Sequence, residues 1–257
     1  MNISDVPNIK FCEGIFQKNI VSNNVDEFGN FLSSILFCFF SLIHWHRLEK
    51  GFLRLSVPIA VNFIVGIGSV LFHAHGSRLF QFTDEIPMIL TISYGIGIYH
   101  EELYYQKKFN KITYNIFQGL LAALQVSTII ANIYSKYFFV FEICFMTFCI
   151  WICVLLLVAC EKRRNYAVYT ILTGFFGYFF WQLDQKLCNP ITVWMYFHAI
   201  WHICICITIS NIIEIYKIIV CERIKIRYYC KLVMGVLIVV RINRTAQTLQ
   251  EYHELNL

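Results

Sequence analysis

The sequence predicts an all-α membrane protein, a seven-transmembrane helix bundle with its N-terminus non-cytosolic and its C-terminus cytosolic. Three observations predict it. Of 257 residues, 58% are hydrophobic and only 14% charged, against about 25% charged in soluble globular proteins. Seven apolar runs reach or approach the roughly 20 residues that a helix needs to cross a bilayer. Lys and Arg are distributed unevenly: with the N-terminus outside, 16 of the 21 fall in cytosolic segments and 5 on the other side, the bias that sets orientation.

Residues 1–27 are expected to form a polar, non-cytosolic segment. They contain no apolar signal-peptide stretch, so the first run doubles as targeting signal and span. Residues 28–219 form the bundle, with runs at 28–43, 55–72, 86–99, 112–133, 137–159, 166–183 and 191–213. The first and third are short and need flanking residues to span. The last is the cleanest, with no Asp, Glu, Lys or Arg in its 23 residues. Gly76-Ser77 breaks the second helix, and Asp84 and Glu85 are expected to start the third. Residues 220–257 read as a basic cytosolic tail. Its apolar run 232–240 has nine residues, about 14 Å as a helix, and is expected at the interface or packed against the bundle. No internal repeat or long linker divides the chain. The net charge of +5 is mostly a topology signal, with contact to anionic headgroups alongside. The basic residues are split among short loops, which argues against nucleic acid. Of the sequons Asn2-Ile3-Ser4 and Asn243-Arg244-Thr245, the second should stay unglycosylated on this orientation.

Ionisable residues inside such a chain are costly, about 2.5–3.5 kcal/mol for Asp at a helix centre, so those that persist ask for a reason. Ser69 and His73 lie at the non-cytosolic end of the second span, Asp84 just beyond, and His198 and His202 in the first half of the seventh. Ser69/His73 and His198/His202 are both spaced i,i+4 and so project from one helical face each. His75, two residues from His73, points elsewhere. Three imidazoles from two helices can hold Zn²⁺ with a fourth position open, the usual pattern of catalytic zinc. Such an ion polarises a carbonyl and activates water; Asp84 can take a proton and Ser69 can bond the developing oxyanion. A single H-x-x-x-H on an arbitrary helix is more often a pair of satisfied interior residues, and Asp84 could simply cap the third helix. The three patterns on one side of the bundle favour the metal. His44, His46, His100 and His253 are assigned no chemistry.

These residues resemble the alkaline ceramidases, seven-helix intramembrane hydrolases of the CREST superfamily. The resemblance covers nearly the whole chain and rests on GSVLFH followed by QFTDEIPM, on FFWQLDQKLC and on FHAIWH. It implies that His73, His198 and His202 bind zinc, that Ser69 and Asp84 are the catalytic partners, and that the reaction is hydrolysis of ceramide to sphingosine and a free fatty acid. It also implies a disulfide between Cys12 and Cys188, the two cysteines outside helices and cytosolic segments. Trp181 and Asp184 match the family's F-W-x-x-D; Asp184 fits a role behind the site, in helix packing, or as an interfacial charge.

The N-terminus departs from the family's calcium motif, D-W-x-E-x-N with a Glu opening the first helix. Here the stretch reads KFCEGI, and Glu13 and Glu27 remain as a degenerate calcium site. A cation that takes six to eight oxygens is poorly served by two carboxylates and a nearby Lys, which puts Ca²⁺ in doubt. Zn²⁺ is the cofactor the pattern implies; ceramide and water are the partners, with no obligate protein partner evident. Two alternatives share part of the pattern: a lipid-remodelling ester hydrolase of the same superfamily, and an adiponectin-receptor-like signalling protein. The short terminal segments disfavour the second. The expected location is the endoplasmic reticulum or Golgi membrane.

Overall fold

The structure, a computed structural model, describes residues 6–18, 24–161, 163–225, 228–233 and 237–242. Lys162, Arg227, Arg244 and both sequons lie outside the described residues. A short helix, α1 (Cys12–Phe16), precedes seven long ones: α2 (Phe28–His46), α3 (Ser56–His75), α4 (Arg78–Tyr105), α5 (Lys111–Tyr134), α6 (Phe138–Ala159), α7 (Arg164–Lys186) and α8 (Phe197–Arg223). Two 3-10 turns, Lys50–Leu55 and Thr192–Met195, lead into α3 and α8. α2, α5, α6, α3 with its leading turn, and α8 with its leading turn are long and apolar enough to cross a membrane. α4 and α7 have the length, 28 and 23 residues, but a more polar sequence. The last helix continues to Arg223, a few residues past the expected boundary at 219.

The helix ends follow local chemistry. Gly76 closes α3 with φ 57°, and its N–H bonds the Phe72 carbonyl at 2.7 Å. Only Gly takes this left-handed conformation cheaply. Ser77 then caps α4, its hydroxyl accepting from the Phe80 N–H at 3.3 Å, as Asn110 caps α5 by accepting from Thr113 N–H at 2.8 Å. This corrects the expected start of the third span. α4 begins at Arg78, so Asp84 and Glu85 lie inside the helix rather than at its end. A Ser with free backbone geometry is the better cap, and the helix nucleates there.

The apolar run 232–240 is likewise not one segment. It is split between β1 (Tyr228–Val233) and β2 (Leu237–Ile242), an antiparallel pair in which Tyr228 faces Ile242 and Val233 faces Leu237. The sequence Leu-Ile-Val-Val at 237–240 is rich in β-branched residues, which favour strand over helix. β2 runs against α8.

The core lies where α2, α3, α4 and α8 pack together, with α7 against α8 and α5 at the periphery. The closest approach is at Gly68. A Cβ there would collide with the Thr83 carbonyl and come within 2.8 Å of the Asp84 amide nitrogen. The missing side chain lets α3 and α4 meet, which brings Ser69 beside Asp84. Because the obstacle is backbone, it cannot move aside. Gly68→Ala is therefore expected to destabilise the fold by about 1–3 kcal/mol, read as a lowered Tm, and to reduce whatever activity depends on the Ser69–Asp84 contact.

Candidate metal centre

α3 delivers Ser69 and His73, α8 delivers His198 and His202, and both helices are held against α2. One nitrogen from each of His73, His198 and His202 lies within 4.8 Å of the others, and all three residues are buried. Each ring keeps a buried nitrogen with no hydrogen-bond partner: His73 Nε2, His198 Nδ1 and His202 Nε2. A buried polar atom left unpaired costs about 1–3 kcal/mol. Three of them in one cluster of rings describe a donor set that a zinc ion would satisfy.

The other nitrogens are fixed by α2. His73 Nδ1 donates to Glu27 Oε2 at 2.6 Å, which leaves Nε2 as the lone-pair nitrogen. The Ser33 hydroxyl donates to the Asn30 carbonyl at 3.0 Å. Its oxygen therefore accepts from His202 Nδ1, at 2.7 Å, and again Nε2 is left free. Ser34 also donates to the Asn30 carbonyl, at 2.7 Å, and meets Ser69 Oγ at 2.9 Å. Asn30 Nδ2 completes the arrangement by donating to Glu27 Oε2 at 3.0 Å. Glu27, Asn30, Ser33 and Ser34 are thus one helical stripe behind the site. The sequence reading took only Glu27 from it, and in another role. The signal was present as E-x-x-N-x-x-S-S, polar residues at i, i+3, i+6 and i+7 entering an apolar run.

Asp84 and Ser69 lie close together where α3 and α4 approach at Gly68. His75 is exposed, as its spacing predicts, and lies near the Phe80 ring. The remaining side of the site is aromatic. Phe11 stacks on His198 with centroids 3.6 Å apart, and Trp201 stacks on its other neighbouring face at 4.9 Å. A small cleft of about 20 Å³ lies among Ile9, Phe72, Met88, Phe138, Phe141 and Trp181, and Asp84 and His198 also line it.

The N-terminal segment roofs this cleft. Cys12 and Cys188 are joined in a disulfide, Cα atoms 5.3 Å apart. The Cys12 N–H donates to Asp184 Oδ2 at 3.1 Å, so of the three roles open to Asp184 the structure displays a packing bond. Glu13 does not stand with free oxygens. They accept from the Gly29 and Asn30 N–H groups at 2.6 and 2.9 Å and so close the first turn of α2. Burial pushes its carboxyl above the ordinary carboxylate value, with those two backbone bonds opposing. With Glu27 Oε2 already shared by His73 and Asn30, three of the four carboxylate oxygens expected for calcium accept from the protein itself. The nearby Asp26 carboxylate pairs with Lys18 at 2.8 Å.

A family profile described as Ceramidase matches residues 6–236. An alkaline ceramidase of Arabidopsis thaliana is 27% identical over 200 residues, 71% of this chain and 72% of that one. An alkaline ceramidase of Drosophila melanogaster is 22% identical over 219 residues, 81% of this chain and 75% of that one.

Proposed function

This chain belongs to the ceramidase family, and from that premise we propose that it is an intramembrane, zinc-dependent amidase that hydrolyses ceramide to sphingosine and a free fatty acid. The observation that carries the reading is a cluster of three buried imidazoles, one nitrogen of each within 4.8 Å of the others and each ring with an unpartnered nitrogen, near Ser69 and Asp84. All seven long helices span. In α4 the charged residues sit toward the ends, and the intervening stretch 86–100 has none. The Lys and Arg bias places the N-terminal segment, the disulfide and the site on the non-cytosolic side, and the hairpin on the other.

His73, His198 and His202 would hold a zinc ion, which would supply a Lewis acid for the scissile carbonyl and for water. Glu27 and Ser33 keep two of the rings in the tautomer that points Nε2 inward. Asp84 takes a proton from the attacking water and passes it to the departing amine nitrogen. Ser69, whose hydroxyl donates to Ser34 Oγ at rest, turns that hydrogen to the oxygen that gains charge. The apolar cleft takes the hydrocarbon next to the amide, and Phe11 and Trp201 shield the imidazoles from bulk water. The names of both relatives support an amide bond over the ester that the related lipid-remodelling enzymes cleave.

Incubation of the purified protein with ceramides of several chain lengths should release free sphingoid base, detected by mass spectrometry. Absence of release from folded, zinc-loaded protein would remove the proposal. Calcium gives a separate expectation. With three of the four carboxylate oxygens bonded to the protein, activity should respond little to micromolar or millimolar Ca²⁺. A clear activation curve that vanishes in Glu13→Ala would show that the carboxylates are released to bind the ion.

A further inference from the structure

Polar residues continue past the site along the same three-helix seam. α2 carries Ser41 and His44 on its buried face, α3 carries Asn62, and α8 carries Ser210, Glu214 and Lys217. Each lies three or four residues from the next polar or small residue of its own helix, so each helix keeps one face turned to the seam. Cross-helix contacts set the levels. Below Ser34–Ser69 comes a level in which Gly66 abuts Cys38. Next, Asn62 Nδ2 donates to Ser41 Oγ at 2.9 Å. Then His44 Nδ1 stands 3.5 Å from Glu214 Oε1, which Lys217 Nζ also pairs at 3.0 Å.

These lower levels hold a concentration of buried polar atoms without hydrogen-bond partners: Asn62 Oδ1, Ser210 Oγ, both ring nitrogens of His44 and Glu214 Oε2. Native proteins leave few such atoms, and where several share one interior region, ordered water satisfies them. The set mixes donors with acceptors, which suits water. It does not suit a metal cation, because Lys217 and Arg47 already neutralise Glu214.

We propose that the α2/α3/α8 seam is a water conduit, leading hydrolytic water to the imidazole cluster from the face opposite the N-terminal segment. The inference rests on the amide-hydrolysis reading above. Each turnover consumes one water: its oxygen forms the new C–O bond as the C–N bond breaks, one hydrogen stays on the acid and the other goes to the amine. The alternative entrance is poor for water. It is roofed by the disulfide-tied segment, and apart from Asp84, Glu85 and His198 its walls are apolar and aromatic, among them Ile9, Phe72, Met88, Phe138 and Phe141. Phe37 packs against Gly66 between these levels and the site, and its ring lies 5.5 Å from that of His202. Phe37 is the barrier between the hydrated levels and the site.

The water is tested first, by hydroxyl-radical footprinting of the zinc-loaded wild-type protein in nanodiscs. His44 and Cys206, each 2% exposed, should be modified at least tenfold faster, after correction for intrinsic reactivity, than Phe148, which is 0% exposed. Protection of both residues equal to that of Phe148 would mean a dry seam and overturn the proposal. The conduit is tested by Asn62→Leu, which keeps the volume and removes the polar atoms. kcat should fall about tenfold or more with KM and zinc content unchanged, and an unchanged kcat overturns the conduit. Ser210→Val blocks the opposite wall and carries the same expectation if Asn62→Leu does not fold. Footprinting uses no ceramide, so a hydrated seam in a protein that releases no sphingoid base would overturn the amidase reading while upholding the water.

Discussion

Asp84→Asn is expected to lose about 10²- to 10⁴-fold in turnover, the usual worth of a positioned base, while retaining zinc and ceramide binding. Asn keeps the size of the side chain, but it cannot take a proton. A helix-capping role would predict no loss, since Asn caps as well as Asp. The structure removes that alternative from the start, because Ser77 caps α4 and Asp84 lies within the helix. Asp84 is buried near Ser69 and lines the apolar cleft. The cost of a carboxylate there would be offset by a cation held at the three imidazoles. The measurement is steady-state hydrolysis by variant protein whose zinc content and folding have been verified. Near-wild-type rates would mean that Asp84 is not the base, and the proton path through it would have to be abandoned.

His198→Ala is expected to abolish both metal and activity. Wild-type protein should carry about one zinc per chain by elemental analysis. Loss of one of three protein ligands leaves two imidazoles, and a catalytic zinc site takes three. Turnover should fall below detection, by more than the Asp84 variant loses. The rings behind the first contact allow a graded comparison. Glu27→Gln should keep zinc but bind it about 10- to 100-fold more weakly, because His73 Nδ1 loses its charged acceptor at 2.6 Å. Titration of the apo protein with zinc reads this difference without any substrate. Stoichiometric zinc in folded His198→Ala, or wild-type affinity in Glu27→Gln, would each place the ion elsewhere.

The hairpin at 228–242 and the start of α4 show how local chemistry can be misread. Hydropathy alone put 232–240 in one apolar run, although its β-branched residues favour a strand. Two acids at 84 and 85 suggested a helix start, although Ser77 directly after a Gly was the stronger signal. Both signals were present in the sequence and were outweighed by a reading of polarity.

The site divides differently. Periodicity alone put His198 with His202 and Ser69 with His73, because residues four apart on a helix share a face whatever surrounds them. The apolar runs and the Lys and Arg bias likewise need only composition along the chain. Which face of α2 meets those pairs was decided by the tertiary structure. The backbone N–H of Glu27 bonds the His73 carbonyl at 3.0 Å, and the Glu27 carboxylate meets the His73 ring. Gly68 lets α3 and α4 approach until Ser69 reaches Asp84. The same register carries Ser33 to His202 and His44, which the sequence left without a role, to Glu214. The pairs Glu27–His73, Ser33–His202 and His44–Glu214 join residues 46, 169 and 170 positions apart, and no repeat along one helix encodes them. They follow from how ridges and gaps of neighbouring helices interlock, a property of all the side chains in the seam together.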